Sequence, residues 1–227
     1  RKYNGSQTTY TIPASATING TRYTTMIGKN TNGDAKVDTG TIKYLSFSSG
    51  VKAGKFLTST FSGSSNSNNK SLISIDARNL DVSNTIHFNM TFSSLTNLTS
   101  LNVSGWNMKS CYDLTGIFAN CKTLKTIDIS TWDLSGNFYF QQMFYNCSGL
   151  TTIKMPTIEY GQNNGAMSGV KKGNMGNMFT GCSSLTTLDL SNLNTDLANA
   201  MDSSDTQYYF HSFFKGCNKL QYLTLGK

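Results

Sequence analysis

One pattern of apolar residues repeats along most of the chain, and it constrains the possible fold more than any other feature. The segment LTSLNVSGWNMKSCYDLTGIFANC begins at Leu98, and LKTIDISTWDLSGNFYFQQMFYNC begins at Leu124. Both contain L-x-x-L-x-L, then Trp, then F-x-x-C. In this register the first apolar positions are residues 42, 72, 98, 124, 150, 185 and 220, with spacings of 30, 26, 26, 26, 35 and 35. Such regular spacing indicates stacked repeats, each packing against its neighbours.

Each repeat is predicted to contain a strand and a short helix. In L-x-x-L-x-L the last two apolar residues alternate, so a short strand turns both of them inward. Leu114, Ile117, Phe118 and Cys121 follow at helical spacing. One such unit cannot bury its apolar edge alone, whereas a stack of units can. The predicted fold class is an α/β repeat solenoid with a parallel β-sheet on one face and short helices on the other.

The strings MFYNCSGLTTI and MFTGCSSLTTLDLSNL resemble the repeats of BspA-type bacterial leucine-rich-repeat surface proteins, which run M-F-x-x-C-x-x-L-x-x-L-D-L-S. The resemblance covers about residues 42 to 225. It implies a right-handed leucine-rich-repeat superhelix, secretion or display on a bacterial cell surface, and adhesion to host proteins or to other cells. The chain departs from it in two places: the last two full repeats are each nine residues longer, and residues 1–41 show no repeat register.

These boundaries predict two regions. Residues 42–227 form a solenoid of seven rungs, a rung being one repeat. Residues 1–41 form either a β-rich N-terminal cap or the end of a preceding domain, because the stretch TTYTIPASATINGTRYTTM alternates as strands do. A cap is expected on physical grounds, since the open end of a solenoid otherwise exposes its core and its sheet edge.

Composition narrows the possible partners. Charged residues make up only 14% of the chain, which suits a secreted or surface-displayed β-rich protein. The net charge is +7, but the basic residues are scattered, with no run longer than a pair such as Lys171-Lys172. Nucleic acid is therefore not an expected partner, because no cluster of basic residues could neutralise a row of phosphates. No apolar stretch is long enough for a transmembrane segment.

Four of the five cysteines occupy the same repeat position: Cys121, Cys147, Cys182 and Cys217. Neighbouring rungs lie ~4.8 Å apart, whereas disulfide-bonded Cβ atoms lie near ~3.8 Å. Buried free thiols acting as small apolar groups are therefore favoured over disulfides. Cys111 lies outside this column and has no assigned partner or role.

No catalytic, cofactor-binding or metal-binding residues are predicted, so the protein is expected not to be an enzyme. His87 and His211 lie in no catalytic motif. The DTG triplet at Asp38 is interpreted as a turn. The stretch from Asn30 lacks the Gly and Glu that a calcium loop needs at its sixth and twelfth positions.

The aromatic columns are interpreted as core. Trp106 and Trp132 share their repeat position with Leu80, Ile158 and Leu193, which marks the slot as apolar. A second column, interpreted as an internal spine, contains Phe92, Phe118, Phe144, Phe179 and Phe214.

The outward residues of the strands form the candidate binding face. Most are Ser, Thr, Asp or Asn, whose short side chains permit close approach and whose hydroxyls donate and accept hydrogen bonds. The alternative is that such residues simply suit a solvated strand. The predicted face contains Tyr44, Asp76, Asn102, Thr126, Asp128, Thr152, Lys154, Thr187, Asp189 and Tyr222.

The sequence favours an extracellular protein-interaction or adhesion module that binds a host or neighbouring-cell macromolecule. The longer stretches from Gly161 and Asn194 are a second candidate binding region, because insertions in solenoids collect on one face. Two alternatives stay open: a structural spacer without a ligand, and a carbohydrate-binding module. A carbohydrate-binding module would normally need exposed aromatic residues, and most aromatic residues of this chain are assigned to the core.

Overall fold

The computed structural model describes residues 6–32, 36–64, 68–134, 139–159, 174–194 and 211–226. In these ranges, short strands alternate with turns. The strands are β1 (Thr9–Ile12), β2 (Ser15–Ile18), β3 (Thr21–Thr24), β4 (Met26–Ile27), β5 (Tyr44–Phe47), β6 (Val51–Ala53), β7 (Ser74–Asp76), β8 (Leu80–Asp81), β9 (Ser100–Asn102), β10 (Thr126–Asp128), β11 (Thr152–Lys154), β12 (Ile158–Glu159), β13 (Thr187–Leu190), β14 (Leu193–Asn194) and β15 (Tyr222–Leu225).

Eight of the strands lie side by side and form what we call the sheet face. Parallel pairing joins β1, β5, β7 and β9, then β10 and β11, then β13 and β15. Strand β10 also contacts β9, and β13 contacts β11. The seven predicted strands all begin two residues after the first apolar position of their repeat, and all the pairs are parallel. The prediction of repeated parallel strands is confirmed.

The N-terminal region continues the sheet by one strand. Strand β1 pairs with β5 so that Tyr10 lies opposite Leu45 and Ile12 opposite Phe47. Strands β2 and β3 form an antiparallel hairpin beside it. Buried Asn69 ties this region to the first repeat, because its side-chain oxygen accepts hydrogen bonds from the backbone and hydroxyl of Thr39, at 2.9 and 2.8 Å. The boundary between residues 41 and 42 stays a prediction.

The side opposite the sheet, here called the turn face, contains tight turns, and the prediction of short helices there is wrong. The only helix in the described ranges is the short 3-10 helix Asn68–Ser71. In the helix-spaced segment, Phe118 N donates to Met143 O of the next rung at 3.1 Å, and Asn120 N donates to Tyr145 O at 2.7 Å. The amide between these two, Ala119 N, donates within its own rung to Gly116 O, three residues back, at 3.0 Å. Backbone hydrogen bonds between rungs therefore replace helical ones.

Left-handed residues explain why no helix forms. Five turn segments each have two residues with positive φ, four positions apart. A right-handed helix cannot pass through such residues. The first of the two is Met90, Gly116, Gln142, Asn177 or Ser212, and the second is Ser94, Asn120, Asn146, Gly181 or Gly216. The helix-like spacing of the apolar residues comes instead from two consecutive turns. Each turn returns an apolar side chain to the interior.

The core runs along the inside of the stack. The phenylalanine spine is confirmed: the rings of Phe118 and Phe144 stack with centroids 5.5 Å apart, and Phe144 and Phe179 repeat this distance. Trp106 and Trp132 also stack inside, at 5.9 Å, and the indole nitrogen of Trp106 donates to Ala77 O. Within the described ranges, no helix is long and apolar enough to span a membrane.

Candidate functional site

The outward residues of the sheet face form two rows on eight neighbouring strands, aligned by register within β1-β5-β7-β9, β10-β11 and β13-β15. The register aligns Thr126 with Thr152 and Asp128 with Lys154, and the other pairs follow the same rule. The first row, here called the hydroxyl row, contains Thr9, Tyr44, Ser74, Ser100, Thr126, Thr152, Thr187 and Tyr222. The second row contains Thr11, Ser46, Asp76, Asn102, Asp128, Lys154, Asp189 and Thr224.

Every member of the hydroxyl row carries a hydroxyl group. Seven of the eight side chains are exposed and Ser74 is half-buried. Tyr44 and Tyr222 are among the most exposed large side chains, at 46% and 66%. None of these hydroxyls hydrogen-bonds to another part of the chain that the structure describes. The row is therefore free to donate to and accept from a partner along its whole length.

The second row is different, because four of its eight side chains bond to the turn that follows their strand. Asn102 Oδ1 accepts from the backbone and hydroxyl of Ser104, at 3.1 and 2.8 Å. Asp128 makes the same pair of bonds with Ser130, at 3.1 and 2.7 Å. Asp189 Oδ1 accepts from Ser191 N, and Asp76 forms an ion pair with Arg78. These carboxylates and amides stabilise turns, as Asx residues commonly do.

Charge also pairs across the second row. Lys154 Nζ lies 2.9 Å from Asp128 Oδ2, on the neighbouring strand. The pKa of Asp128 is lowered, first by the hydrogen bond from the Ser130 hydroxyl and then by the bond from Lys154. At the other end, the hydroxyls of Thr11 and Ser46 lie 2.7 Å apart. The structure thus brings all ten predicted residues to one surface but leaves mainly the hydroxyl row unengaged.

Thr9 and Thr11 belong to this surface and were missing from the predicted set. The signal for them is present in the sequence, because Thr9 and Thr11 alternate with Tyr10 and Ile12 as outward and inward residues do. Residues 1–41 carry no L-x-x-L-x-L pattern, so alternation alone could not fix their register against the next strand.

Residues 160–173 and 195–210, which hold most of the stretches from Gly161 and Asn194, lie outside the described residues.

A cluster at the side of the stack brings one histidine together with polar groups. His87 Nδ1 lies 3.3 Å from Asp113 Oδ2, and the Tyr112 hydroxyl hydrogen-bonds to His87 Nε2. The Phe56 ring stacks on His87 at 4.9 Å. Burial, then the charge of Asp113, raises the pKa of Tyr112, which favours the protonated phenol. These residues come from three successive rungs, which explains why no local motif revealed them.

The cysteine column is free of disulfides, as predicted, and its thiols are also hydrogen-bond donors. Cys121 Sγ donates to Phe92 O at 3.1 Å, and Cys147 Sγ donates to Phe118 O at 3.0 Å. Burial raises the pKa of Cys121 and of Cys182 to about 12. Cys217 departs from the prediction of full burial: it lies in the last described turn segment and is only half-buried.

Cys111 is buried near the side cluster, with Sγ 3.7 Å from Asp113 O. Burial raises its pKa well above the ordinary value, so the group is a neutral thiol. In the described ranges, no group of His, Cys, Asp and Glu side chains is arranged to hold a metal ion.

Comparisons with known proteins give a family model and two similar structures. The model described as a Mycoplasma protein of unknown function, DUF285, matches residues 55–158. A leucine-rich repeat protein from Bacteroides ovatus is 14% identical, with a TM-score of 0.34, and the match covers 99% of this chain and 74% of that one. A leucine rich cell surface protein from Faecalibacterium prausnitzii is 14% identical, with a TM-score of 0.25, and the match covers 100% and 90%. No curated protein matches.

Proposed function

We propose that this protein is a surface-displayed or secreted adhesion module, which binds an extracellular protein or another cell-surface macromolecule through its sheet face. The observation that supports this most directly is the hydroxyl row. Eight neighbouring strands each place one hydroxyl on the same side, and the described part of the chain uses none of them internally. With strands ~4.8 Å apart, the row extends over about 34 Å.

The composition supports an extracellular setting, since charged residues are only 14% of the chain. The M-F-x-x-C repeats support membership of the BspA-type surface proteins, and with it a right-handed winding of the rungs. The family membership and the right-handed winding are both parts of the proposal.

Binding assays with the intact chain test the function. Immobilised protein is offered host extracellular-matrix proteins and a glycan array, and bound molecules are identified. We expect at least one matrix or cell-surface protein to bind. If no matrix protein and no glycan binds, the spacer hypothesis becomes the better account.

A double variant then tests whether the sheet face is the site. Thr126→Arg with Thr152→Glu places long charged side chains in the centre of the hydroxyl row, where they block close approach and impose desolvation on the partner. Thr126→Ser with Thr152→Ser is the matched control, because it keeps both hydroxyls and should keep binding. If the charged variant binds normally and deletion of residues 195–210 abolishes binding, the insertion is the site instead.

A carbohydrate ligand is a second candidate, favoured by one observation. Tyr44 and Tyr222 present exposed rings within the hydroxyl row, and aromatic faces beside hydroxyls suit sugars. Binding on the glycan array that is lost in Tyr222→Ala, and kept in Tyr222→Phe, would favour this candidate over a protein partner.

A further inference from the structure

A cavity of about 570 Å³ opens at the N-terminal end of the stack. Its floor consists of inward apolar residues from the first rungs, including Ile12, Ile27, Ile42 and Leu45. Its size falls within the range of specific binding cavities, roughly 300–1,000 Å³. The cavity lies where the side chains of one more strand would pack if the ladder continued.

Among the described residues, the strand beside this cavity, β1, has one edge that no other strand pairs with. Tyr44 N bonds to Thr8 O and Ser48 N bonds to Ile12 O, so the even-numbered residues of this segment face β5. Because these groups alternate along a parallel strand, the N–H and C=O groups of Thr9 and Thr11 point to the other side. In the described ranges no strand pairs with that side of β1. An open edge beside an apolar cavity is the arrangement to which an extended peptide adds as a further strand.

The charges around the cavity select the partner. Lys29 and Lys36 both line it, and neither forms an ion pair within the described part of the chain. Asp38 also lines it, but its carboxylate accepts from Gly40 N at 2.9 Å and from the side chain of Asn68 at 3.3 Å. The net positive rim therefore favours a partner that carries carboxylates.

We infer that the N-terminal end of the solenoid is a second binding site, separate from the hydroxyl row, for an extended peptide segment with alternating apolar and acidic residues. The peptide backbone pairs with the outer edge of β1. Its apolar side chains enter the cavity above Ile12 and Ile27, and its carboxylates approach Lys29 and Lys36.

Synthetic peptides test the site directly. The probe is a fluorescein-labelled, end-capped heptapeptide of alternating valine and glutamate, and its affinity is measured by fluorescence anisotropy. A peptide with the same side chains, but with alternate backbone nitrogens methylated, loses its donors along one edge and should bind about tenfold more weakly. Two methylated peptides are made, one with the odd-numbered and one with the even-numbered nitrogens methylated, since either edge of the peptide can face β1. A third peptide replaces every glutamate with lysine and should bind less well than the first.

Two protein variants test the two halves of the site. Lys29→Gln with Lys36→Gln should weaken the acidic peptide about fivefold and leave binding of an alternating valine and serine peptide unchanged. Thr11→Pro removes an N–H that faces away from β5, and an edge strand tolerates this change. The change also removes the hydroxyl that lies 2.7 Å from the Ser46 hydroxyl, so Thr11→Val is the matched control. Relative to Thr11→Val, Thr11→Pro should weaken both peptides at an equal unfolding temperature.

The inference is overturned if the acidic peptide does not bind, if the lysine peptide binds as well, or if both methylated peptides bind like the parent. Sedimentation of the protein alone over a range of concentrations tests another occupant. Self-association that Thr11→Pro abolishes would show that a second copy, rather than an acidic peptide, covers this edge.

Discussion

At the scale of single residues, the same polar side chain can serve a turn or a partner, and the structure separates the two uses. Asp128 and Asn102 lie in the second row, yet their oxygens accept from Ser130 and Ser104. Thr126 points outward from the same strand, two residues before Asp128, but its hydroxyl bonds to nothing in the described part of the chain. The sequence shows which residues point outward, but it does not show which outward oxygens are already occupied.

The first prediction concerns the ionisation of Asp128. The folded pKa is depressed below its ordinary value of 3.8 by the Ser130 hydroxyl and by Lys154. The associated stability is therefore present above the ordinary pKa and is lost as the pH falls through the folded pKa. A carboxyl-carbon NMR titration should show this low pKa, and Lys154→Gln should raise it only in part. An unshifted Asp128 in the unmodified protein would contradict the hydrogen-bond assignment.

The second prediction compares two glycines with nearly equal positive φ. Gly105 has φ +79 and open space at its missing Cβ, whereas Gly181 has φ +78 and a Cβ would lie 2.4 Å from the Asn146 side-chain oxygen. Gly105→Ala should cost about 1–2 kcal/mol from backbone strain alone. Gly181→Ala should cost more, because Asn146 on the neighbouring rung must move. Equal losses of unfolding free energy for the two variants, measured in urea, would show that the turns at Gly181 and Asn146 are not in close contact.

At the scale of the repeat element, the strand half could be predicted from the sequence and the turn half could not. Alternation in L-x-x-L-x-L allows only one assignment of inward residues. A helix and a pair of turns both return side chains to one face. The spacing in the turn half therefore fits either structure equally well, as it does for Leu114, Ile117, Phe118 and Cys121. The distinguishing signal is the residue before each cysteine, which is Asn or Gly in all four repeats, and these types tolerate positive φ.

The third prediction uses the thiols as probes of the stack. Cys121, Cys147 and Cys182 are buried, whereas Cys217 is half-buried in the last described turn segment. Because the thiolate is the reactive form and burial raises the thiol pKa, iodoacetamide should label Cys217 first and leave the other three unlabelled in native protein. Mass spectrometry of timed samples measures the order. Equal labelling of all four would mean that the rungs open independently.

The fourth prediction concerns the spine. Phe144 stacks between Phe118 and Phe179, and Phe144→Ala should reduce the free energy of unfolding by ~3–5 kcal/mol. Phe214 stacks on Phe179 but is only partly buried, so Phe214→Ala should reduce it less. Denaturant unfolding of both variants provides the comparison. If Phe214→Ala were the more destabilising change, stability would not depend on neighbours on both sides.

At the scale of the whole molecule, both faces repeat at the same interval because successive rungs contact each other on both faces. On the sheet face, most neighbouring strands pair in parallel, while β10 contacts β9 and β13 contacts β11 without pairing. On the turn face, alternate amides bond to the next rung. This shared spacing places one member of the hydroxyl row on each of the eight strands. It also leaves an open strand at each described end, where Leu223 and Leu225 of β15 are 40% and 58% exposed despite their core positions in the repeat.

The most direct test of this architecture is the NMR scalar coupling transmitted across backbone hydrogen bonds on the turn face. The structure predicts a coupling between the amide nitrogen of Phe118 and the carbonyl carbon of Met143, on the following rung. A helix would instead give a coupling from Phe118 to the carbonyl of Leu114, four residues earlier. Observation of the Phe118–Met143 coupling would support the turn-connected stack, and observation of the Phe118–Leu114 coupling would contradict it.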